Sequence, residues 1–435
     1  MNKLNNFSNI TSENIMECAK KYGTPVYLYD EEMLTSRCNE VLEMPNAFGI
    51  DVRFAMKANS TKAILQSIYA QGILIDASSL NEARRAHMAG IACEDIMLTS
   101  QEVPMGIDRE NLEKMMIEGL RYNVCSLRQL MLVGDFAANN NIPLSMRVHP
   151  GVGSGESASR NTGDNYSCFG VHLSDIEQAM DYADKNGIII NQIHVHIGSG
   201  GDPVKWQENI DRELGILEKY FPNATTINFG GGLKDARMPG EIAADVQSLG
   251  NYAKKKIEEF YEKTGRKLVM GVEPGTYIVA NCGYIITDIL DKKKTGDTGL
   301  NFLVINGSME LNARPLLYGS KHPFYVVSKE GKLLSSEFDS ENGENMYDAA
   351  VVGRCCESGD SQSLDSEGTN IPRYIGEPEV GDYIVVGGAG AYCSSMTPFN
   401  YNSHEQAAEV MLKENGNLTE IRRKQTLEQI VANEL

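Results

Sequence analysis

Between residues 50 and 275, short apolar runs alternate with longer amphipathic stretches. The runs at 52–56, 73–75, 96–99, 122–124, 144–148, 190–197, 226–229 and 268–272 are rich in β-branched residues and bounded by Gly, Ser, Asn or Pro, which predicts strands. The stretches between them read as helices, and 79–89 and 252–264 carry apolar residues at three- and four-residue spacing. Eight such units in series favour an α/β fold of the (β/α)8 barrel kind over an open doubly wound sheet. A parallel sheet covered on both faces also accounts for strands that are apolar throughout.

After residue 275 the pattern changes. TYIVANCGYIITDIL, NFLVIN, HPFYVVSK, DAAVVG and DYIVVGG are β-rich runs separated by polar, glycine-containing turns. The next stretch with a helix-length pattern is 403–413, and 356–372 reads as an exposed loop. A helix at 12–21 and a strand at 25–29 open the chain and are expected to pack on this second domain. The expected division is a barrel over 45–275 and a β-rich domain built from 1–44 plus 276–435.

Composition narrows the function classes. Of 435 residues, 42% are hydrophobic and 23% charged, as in soluble globular proteins. No apolar run approaches the ~20 residues that span a bilayer, and the opening MNKLNNFSNI has no apolar core of a signal peptide. Forty basic against 59 acidic side chains leave a net charge of −19, which argues against nonspecific binding to nucleic acid or anionic membrane. The nine cysteines are odd in number and lack CxxC spacing, so reduced thiols and a cytoplasmic setting are expected. No HExxH or paired-cysteine pattern occurs and the seven histidines are scattered; a structural metal is not expected.

Active residues of such a barrel sit where strands end and βα loops begin. Lys57, Asp76, Ser79, Arg147, His149, His196, Gly198, Ser199, Gly230–Gly232 and Glu273 all fall there. Gly230, Gly231 and Gly232 allow backbone N–H groups to approach a phosphate closely. Gly153–Gly155 and Gly387–Gly390 lack Walker A spacing and read as loops. A strand-terminal lysine in apolar surroundings has a lowered pKa and suits Schiff-base chemistry. Together with the glycine loop, a histidine and a glutamate on the same rim, Lys57 points to pyridoxal 5′-phosphate (PLP).

The motifs YGTPVYLYD, FAMKAN, HVHIGSG, GGGL, EPG, ARPLLY, CESGD and GAGAYCSSM occur in that order between Tyr22 and Leu418. In this the chain resembles the fold-type III PLP-dependent decarboxylases, most closely the diaminopimelate decarboxylase branch. The resemblance implies a barrel of the alanine-racemase type with a C-terminal β domain. It implies decarboxylation of meso-2,6-diaminopimelate to L-lysine and CO2 by a homodimer with shared active sites. By the same resemblance Lys57 forms the internal aldimine and His196 stacks on the cofactor ring. Ser199, the amides of Gly230, Gly231 and Gly232, and Tyr392 hold the phosphate. Glu273 pairs with the pyridine nitrogen; a carboxylate there keeps the ring a strong electron sink and favours decarboxylation over racemisation. Cys356 donates the proton after CO2 loss, and Glu357 contacts the substrate amine, both entering from a second subunit. Arg314 and Tyr318, with Tyr392 nearby, grip the distal carboxylate, a task that suits a guanidinium's paired donors.

Two positions depart from the family pattern: Thr276 stands where EPGR has arginine, and Cys168 precedes Phe169-Gly170 where a lysine is expected. The loss of charge at Thr276 widens the substrate reading to a related D-amino acid or a carboxylated polyamine precursor. A racemase, and a non-catalytic PLP-binding regulatory homologue, are the remaining alternatives. Retention of both Lys57 and Cys356 argues against a non-catalytic role.

Overall fold

The computed structural model describes residues 3–151, 153, 162–164, 166–198, 201–339 and 345–435. The chain divides into two compact units, one of residues 37–234 with 243–277 and the other of residues 1–36, 235–242 and 278–435.

The first unit is a closed parallel barrel. Its eight strands are Ile50–Ala55, Leu74–Ala77, Ile96–Thr99, Arg121–Val124, Leu144–His149, Ile190–His194, Thr226–Asn228 and Val269–Val272, numbered one to eight below. Each pairs in parallel with the next, and the eighth returns to the first through Met270 opposite Ile50 and Val272 opposite Val52. A two-residue strand, Val171–His172, adds to the edge of strand five. The expected strands all form, with ends displaced by up to three residues. The helix expected at 79–89 runs over Leu80–Met88, and Ser79 is its N-cap, its Oγ accepting from the Glu82 amide. Ser79 is therefore spent on helix capping.

The second unit is a ten-stranded, mostly antiparallel sheet. The N-terminal strand Val26–Asp30 is buried along its whole length, antiparallel to Gly283–Lys294 on one side and parallel to Ala408–Leu412 on the other. The helix Ser12–Tyr22 covers this sheet; Ile15, Cys18 and Ala19 join a core with Val26, Leu28, Tyr284, Ile286, Tyr325, Val385 and Val410.

Two expectations for this unit fail. The stretch 403–413 is a short turn, Tyr401–Ser403, followed by the strand Ala408–Leu412, because pairing with Val26–Asp30 and Leu418–Arg422 overrides the local helical preference of AAEVML. Nor is 356–372 exposed throughout. Cys356, Glu357 and Ser358 are exposed, but Asp360, Ser361, Gln362, Ser363 and Leu364 are buried. The Asp360 carboxylate explains the reversal: it accepts from the amides of Met309 and Cys355, at 2.8 and 2.6 Å, and so pins the segment down.

Candidate active site

The barrel places a buried carboxylate at the end of its last strand. Glu273 follows Val269–Val272 and its side chain is 7% exposed. Asn228, from the end of strand seven, donates its Nδ2 to Oε1 at 2.8 Å, and His194, from the end of strand six, sets its Nε2 3.0 Å from Oε2. The histidine is oriented in turn. Asn123 Nδ2 lies 2.9 Å from His194 Nδ1 and can only donate, so Nδ1 accepts and Nε2 carries the hydrogen toward Glu273. Burial pushes the Glu273 carboxyl up, but the Nε2 hydrogen of His194 and the nearby charge of Lys57 outweigh it and hold the group below the usual carboxylate range. Asp76, buried at the end of strand two, behaves oppositely. Burial, then repulsion from Glu273, raises its carboxyl well above the usual range, which favours its protonated form. Of the two carboxyl groups, Glu273 is the one whose surroundings favour the ionised form.

Three glycines close the loop after strand seven, and packing requires each of them. A Cβ on Gly230 would stand 2.5 Å from the Val195 carbonyl oxygen, one on Gly231 2.6 Å from that of Glu273, and one on Gly232 2.6 Å from that of Gly198. Gly230 and Gly232 also have φ of +70° and +89°. Two of the three amides serve the protein itself: Gly230 N–H donates to Asn228 Oδ1 at 2.8 Å, and Gly231 N–H to His196 Nδ1 at 3.1 Å. Only the Gly232 amide has no partner among the described residues, which narrows the expectation that all three hold phosphate. His196 is half-buried, and burial with the nearby cations Arg147 and Lys57 pushes its imidazole well below its usual range. The ring is therefore neutral, its Nδ1 fixed by Gly231.

Lys57 lies in a short turn, Met56–Ala58, directly after strand one. Its neighbours Met56 and Ala58 are buried but Lys57 is exposed, so the premise of a buried, apolar setting does not hold for the side chain itself. Its charge nevertheless acts on Asp76, His196 and Glu273, which puts it among them. Arg147 lies two residues before the end of strand five with its guanidinium 4.9 Å from the Phe169 ring, and His149, the last residue of that strand, sets its Nε2 3.1 Å from the Ser167 carbonyl oxygen. Ser199 lies outside the described residues.

The second unit carries the residues expected to meet substrate. Arg314 opens the helix Arg314–Tyr318, is 5% exposed, and has its guanidinium 6.0 Å from the Tyr318 ring and 5.9 Å from the Tyr392 ring. Asn312 Oδ1 accepts from the Arg314 amide at 3.2 Å and from Cys393 Sγ at 3.4 Å, tying the arginine to the segment that holds Tyr392. Tyr392 has φ +58°, a left-handed backbone that a tyrosine adopts only under constraint. Cys356 is exposed, its amide donating to Asn402 Oδ1 at 2.9 Å. Glu357 beside it is exposed too, with Tyr401 donating to its Oε2 at 3.3 Å and Ser358 to its Oε1 at 3.2 Å. Donors from the Gly359 amide, Ser358 and Tyr401 hold its carboxyl below the usual range. Cys355 is half-buried with Sγ 3.6 Å from Glu310 Oε2, and burial with the charges of Glu310 and Asp360 pushes its thiol up.

The family described as pyridoxal-dependent decarboxylase, pyridoxal-binding domain, matches residues 34–280. The chain belongs to this family. It is 30% identical to the diaminopimelate decarboxylase of Escherichia coli K12 over 432 residues, covering 98% of both proteins. It is 30% identical to that of Buchnera aphidicola subsp. Baizongia pistaciae, covering 97% of this chain and 96% of the relative. A crystal structure of a diaminopimelate decarboxylase matches with TM-score 0.89 at 29% identity, over 100% of this chain and 99% of that one. That of the Helicobacter pylori enzyme complexed with L-lysine matches with TM-score 0.79 at 25% identity, over 96% and 98%.

As a member of this family the chain is a PLP-dependent carboxy-lyase acting on amino acids. The barrel's residues fit that cofactor: an accessible amine at Lys57, a buried carboxylate at Glu273 that stays ionised, and a glycine loop whose Gly232 amide has no partner among the described residues. The resemblance names Lys57, His196 and Glu273 but not His194, Asn228 and Asn123, which surround the Glu273 carboxylate. Alternation was the available signal. His194 stands two before His196 and Asn228 two before Gly230, the period of alternate positions along a strand.

Two predictions follow from this geometry. Gly231→Ala should lower stability by about 1–3 kcal/mol through the clash with the Glu273 carbonyl and weaken PLP binding, read by denaturant unfolding and by cofactor titration. For Glu273, a folded-state value depressed to about 2 stabilises the fold above its unfolded value and is lost as pH falls toward 2. Glu273→Gln should therefore flatten the acid limb of the stability–pH curve below pH ~4, measured by unfolding of both proteins across that range.

Proposed function

We propose that the chain removes CO2 from the D-centre of meso-2,6-diaminopimelate, giving L-lysine, and that it does so as a homodimer in the cytoplasm. The observation that carries the substrate reading is Arg314, buried and flanked by the rings of Tyr318 and Tyr392. A buried guanidinium walled by two phenols suits a carboxylate at the far end of a substrate and repels an ammonium. Identity near 30% to diaminopimelate decarboxylases over almost the full length agrees with this.

Bound PLP supplies the electron sink for the pair left when CO2 departs. The chain's own residues do the rest. Lys57 holds the cofactor covalently through its amine. Glu273, fixed by Asn228 and His194, keeps the pyridine nitrogen protonated. Neutral His196, held by the Gly231 amide, offers a flat, uncharged face for stacking. Arg314 and Tyr318 orient the substrate by its distal carboxylate. Cys356 delivers a proton to the carbon that CO2 has left, and Glu357 meets the substrate amine. Both are exposed at the surface of the described chain, as residues that enter a partner's site must be. The nine cysteines form no disulfide with one another, in keeping with a reducing compartment, and no helix among the described residues is long and apolar enough to cross a membrane.

Thr276 favours a second reading, because it brings no cation where the family pattern has one. A D-amino acid or a carboxylated polyamine precursor would then be the substrate.

The purified protein with PLP should release CO2 and form L-lysine from meso-diaminopimelate; turnover only of other members of a diamino-acid panel would overturn the first reading in favour of the second. Lys57→Ala should lose turnover and, after borohydride treatment, show no cofactor mass on its 57-containing peptide. Arg314→Gln should raise KM for diaminopimelate by roughly 10- to 100-fold, the loss of about 1.5–3 kcal/mol of charge-assisted hydrogen bonding, with a smaller effect on amino acids lacking a second carboxylate.

A further inference from the structure

At the opposite end of the barrel from the catalytic rim, three ligand-type side chains meet. His87 lies in the last turn of the helix Leu80–Met88, Cys93 in the turn that precedes strand three, and Glu118 at the C-cap of the helix Ile107–Ile117. Cys93 Sγ is 3.5 Å from His87 Nδ1 and 3.3 Å from Glu118 Oε2, and the three ligand atoms lie within 4.8 Å of one another. Cys93 is 4% exposed, whereas His87 and Glu118 are exposed. The cluster thus has a buried sulfur at its base and two ligands open to solvent.

The distances suit a small tetrahedral cation. With metal–ligand bonds of about 2.0–2.3 Å, neighbouring ligand atoms of a zinc site stand roughly 3.5 Å apart. The measured separations from Cys93 Sγ are close to that edge, and a cation on His87 Nδ1 would replace the contact this nitrogen makes with the Ile91 carbonyl oxygen at 3.2 Å. An imidazole nitrogen, a thiolate and a carboxylate are also the mixed set that Zn(II) accepts, and a hard cation such as Mg(II) would reject the sulfur.

A second cluster, Glu310, Cys355 and His404, shows what a poorer site looks like. There Arg354 Nε sits 3.5 Å from Glu310 Oε1 and the Ser308 amide donates to Oε2, so a guanidinium already competes for the carboxylate. Among the described residues no lysine or arginine pairs with Glu118.

We propose that His87, Cys93 and Glu118 form a site for one Zn(II)-class cation, with water in the fourth position, clipping together the ends of two barrel helices. On binding, the Cys93 thiol yields its proton to the buffer and its sulfur lone pair to the metal; nothing is oxidised. The site is distinct from the PLP chemistry, so a metal bound there adds stability and leaves turnover unchanged.

The test uses the PLP-loaded full chain, stripped with chelator and titrated with Co(II) as the spectroscopic probe and with Zn(II) by calorimetry. The expected result is one equivalent bound, a thiolate-to-cobalt charge-transfer band, and a rise in Tm of a few degrees. Cys93→Ala should lose the band and the Tm rise. His87→Ala, an exposed change that the fold tolerates, should weaken binding by roughly tenfold or more and keep decarboxylase turnover. Absence of the band in the wild-type protein would overturn the proposal. So would a band of full strength in Cys93→Ala, which would place the cation on other thiols, or wild-type affinity in His87→Ala.

Discussion

A carboxylate shut away from water stays ionised only where donors replace its hydration shell, and the arrangement around Glu273 is built to that requirement. Asn228 and His194 supply the two donors, Asn123 fixes the tautomer of His194, and these three residues come from the ends of strands four, six and seven. Those strands must therefore end in register with the eighth. The glycine loop follows from the same constraint. Asn228 gives its amide nitrogen to Glu273 and its carbonyl oxygen to Gly230, so one side chain orients both the carboxylate and the loop. The next glycine fixes His196. A side chain at any of the three glycine positions would push apart the strand ends that hold Glu273 in place.

This changes what the glycines are for. A run of three after a strand suggests amides aimed at a phosphate, yet two of those amides are consumed inside the protein. Their larger contribution is closeness: they let the loops after strands six, seven and eight touch backbone to backbone. Of the three, the Gly232 amide alone is left without a partner among the described residues. A chain with net charge −19 has no general attraction for a phosphorylated cofactor or a dicarboxylic substrate. Short-range groups such as Lys57, Arg147 and Arg314 have to overcome that field locally.

The barrel was largely legible because its strands are buried on both faces, and burial writes itself into sequence as short continuous apolar runs; strand three matches at both ends, 96–99. The sheet of the second unit was less so. Ala408–Leu412 holds residues that favour helix, and only its pairing with a strand some 380 positions earlier makes it β, as parallel contacts at that separation leave no local trace. In the site, the residues carrying the chemistry stood in short motifs, whereas those that position them are ordinary asparagines and a second histidine. The cluster of His87, Cys93 and Glu118 is the extreme case. Its spacing matches no metal motif, and the fold alone brings its ligand atoms together.

The substrate side rests on a different kind of constraint. Arg314 is buried, and a buried guanidinium without neighbours of the right kind would be costly. Its ring contacts with Tyr318 and Tyr392, and its donation to Ser320 Oγ at 3.4 Å, lower that cost. Tyr392 reaches its place through a left-handed backbone, which costs on the order of 1 kcal/mol or more and persists because Asn312 ties Cys393 and the Arg314 amide together. Strain at a tyrosine beside the one buried arginine of the RPLLY motif is hard to explain by stability alone. It is explained if the pair is preorganised, so that binding a distal carboxylate requires no rearrangement and the selectivity is set before substrate arrives.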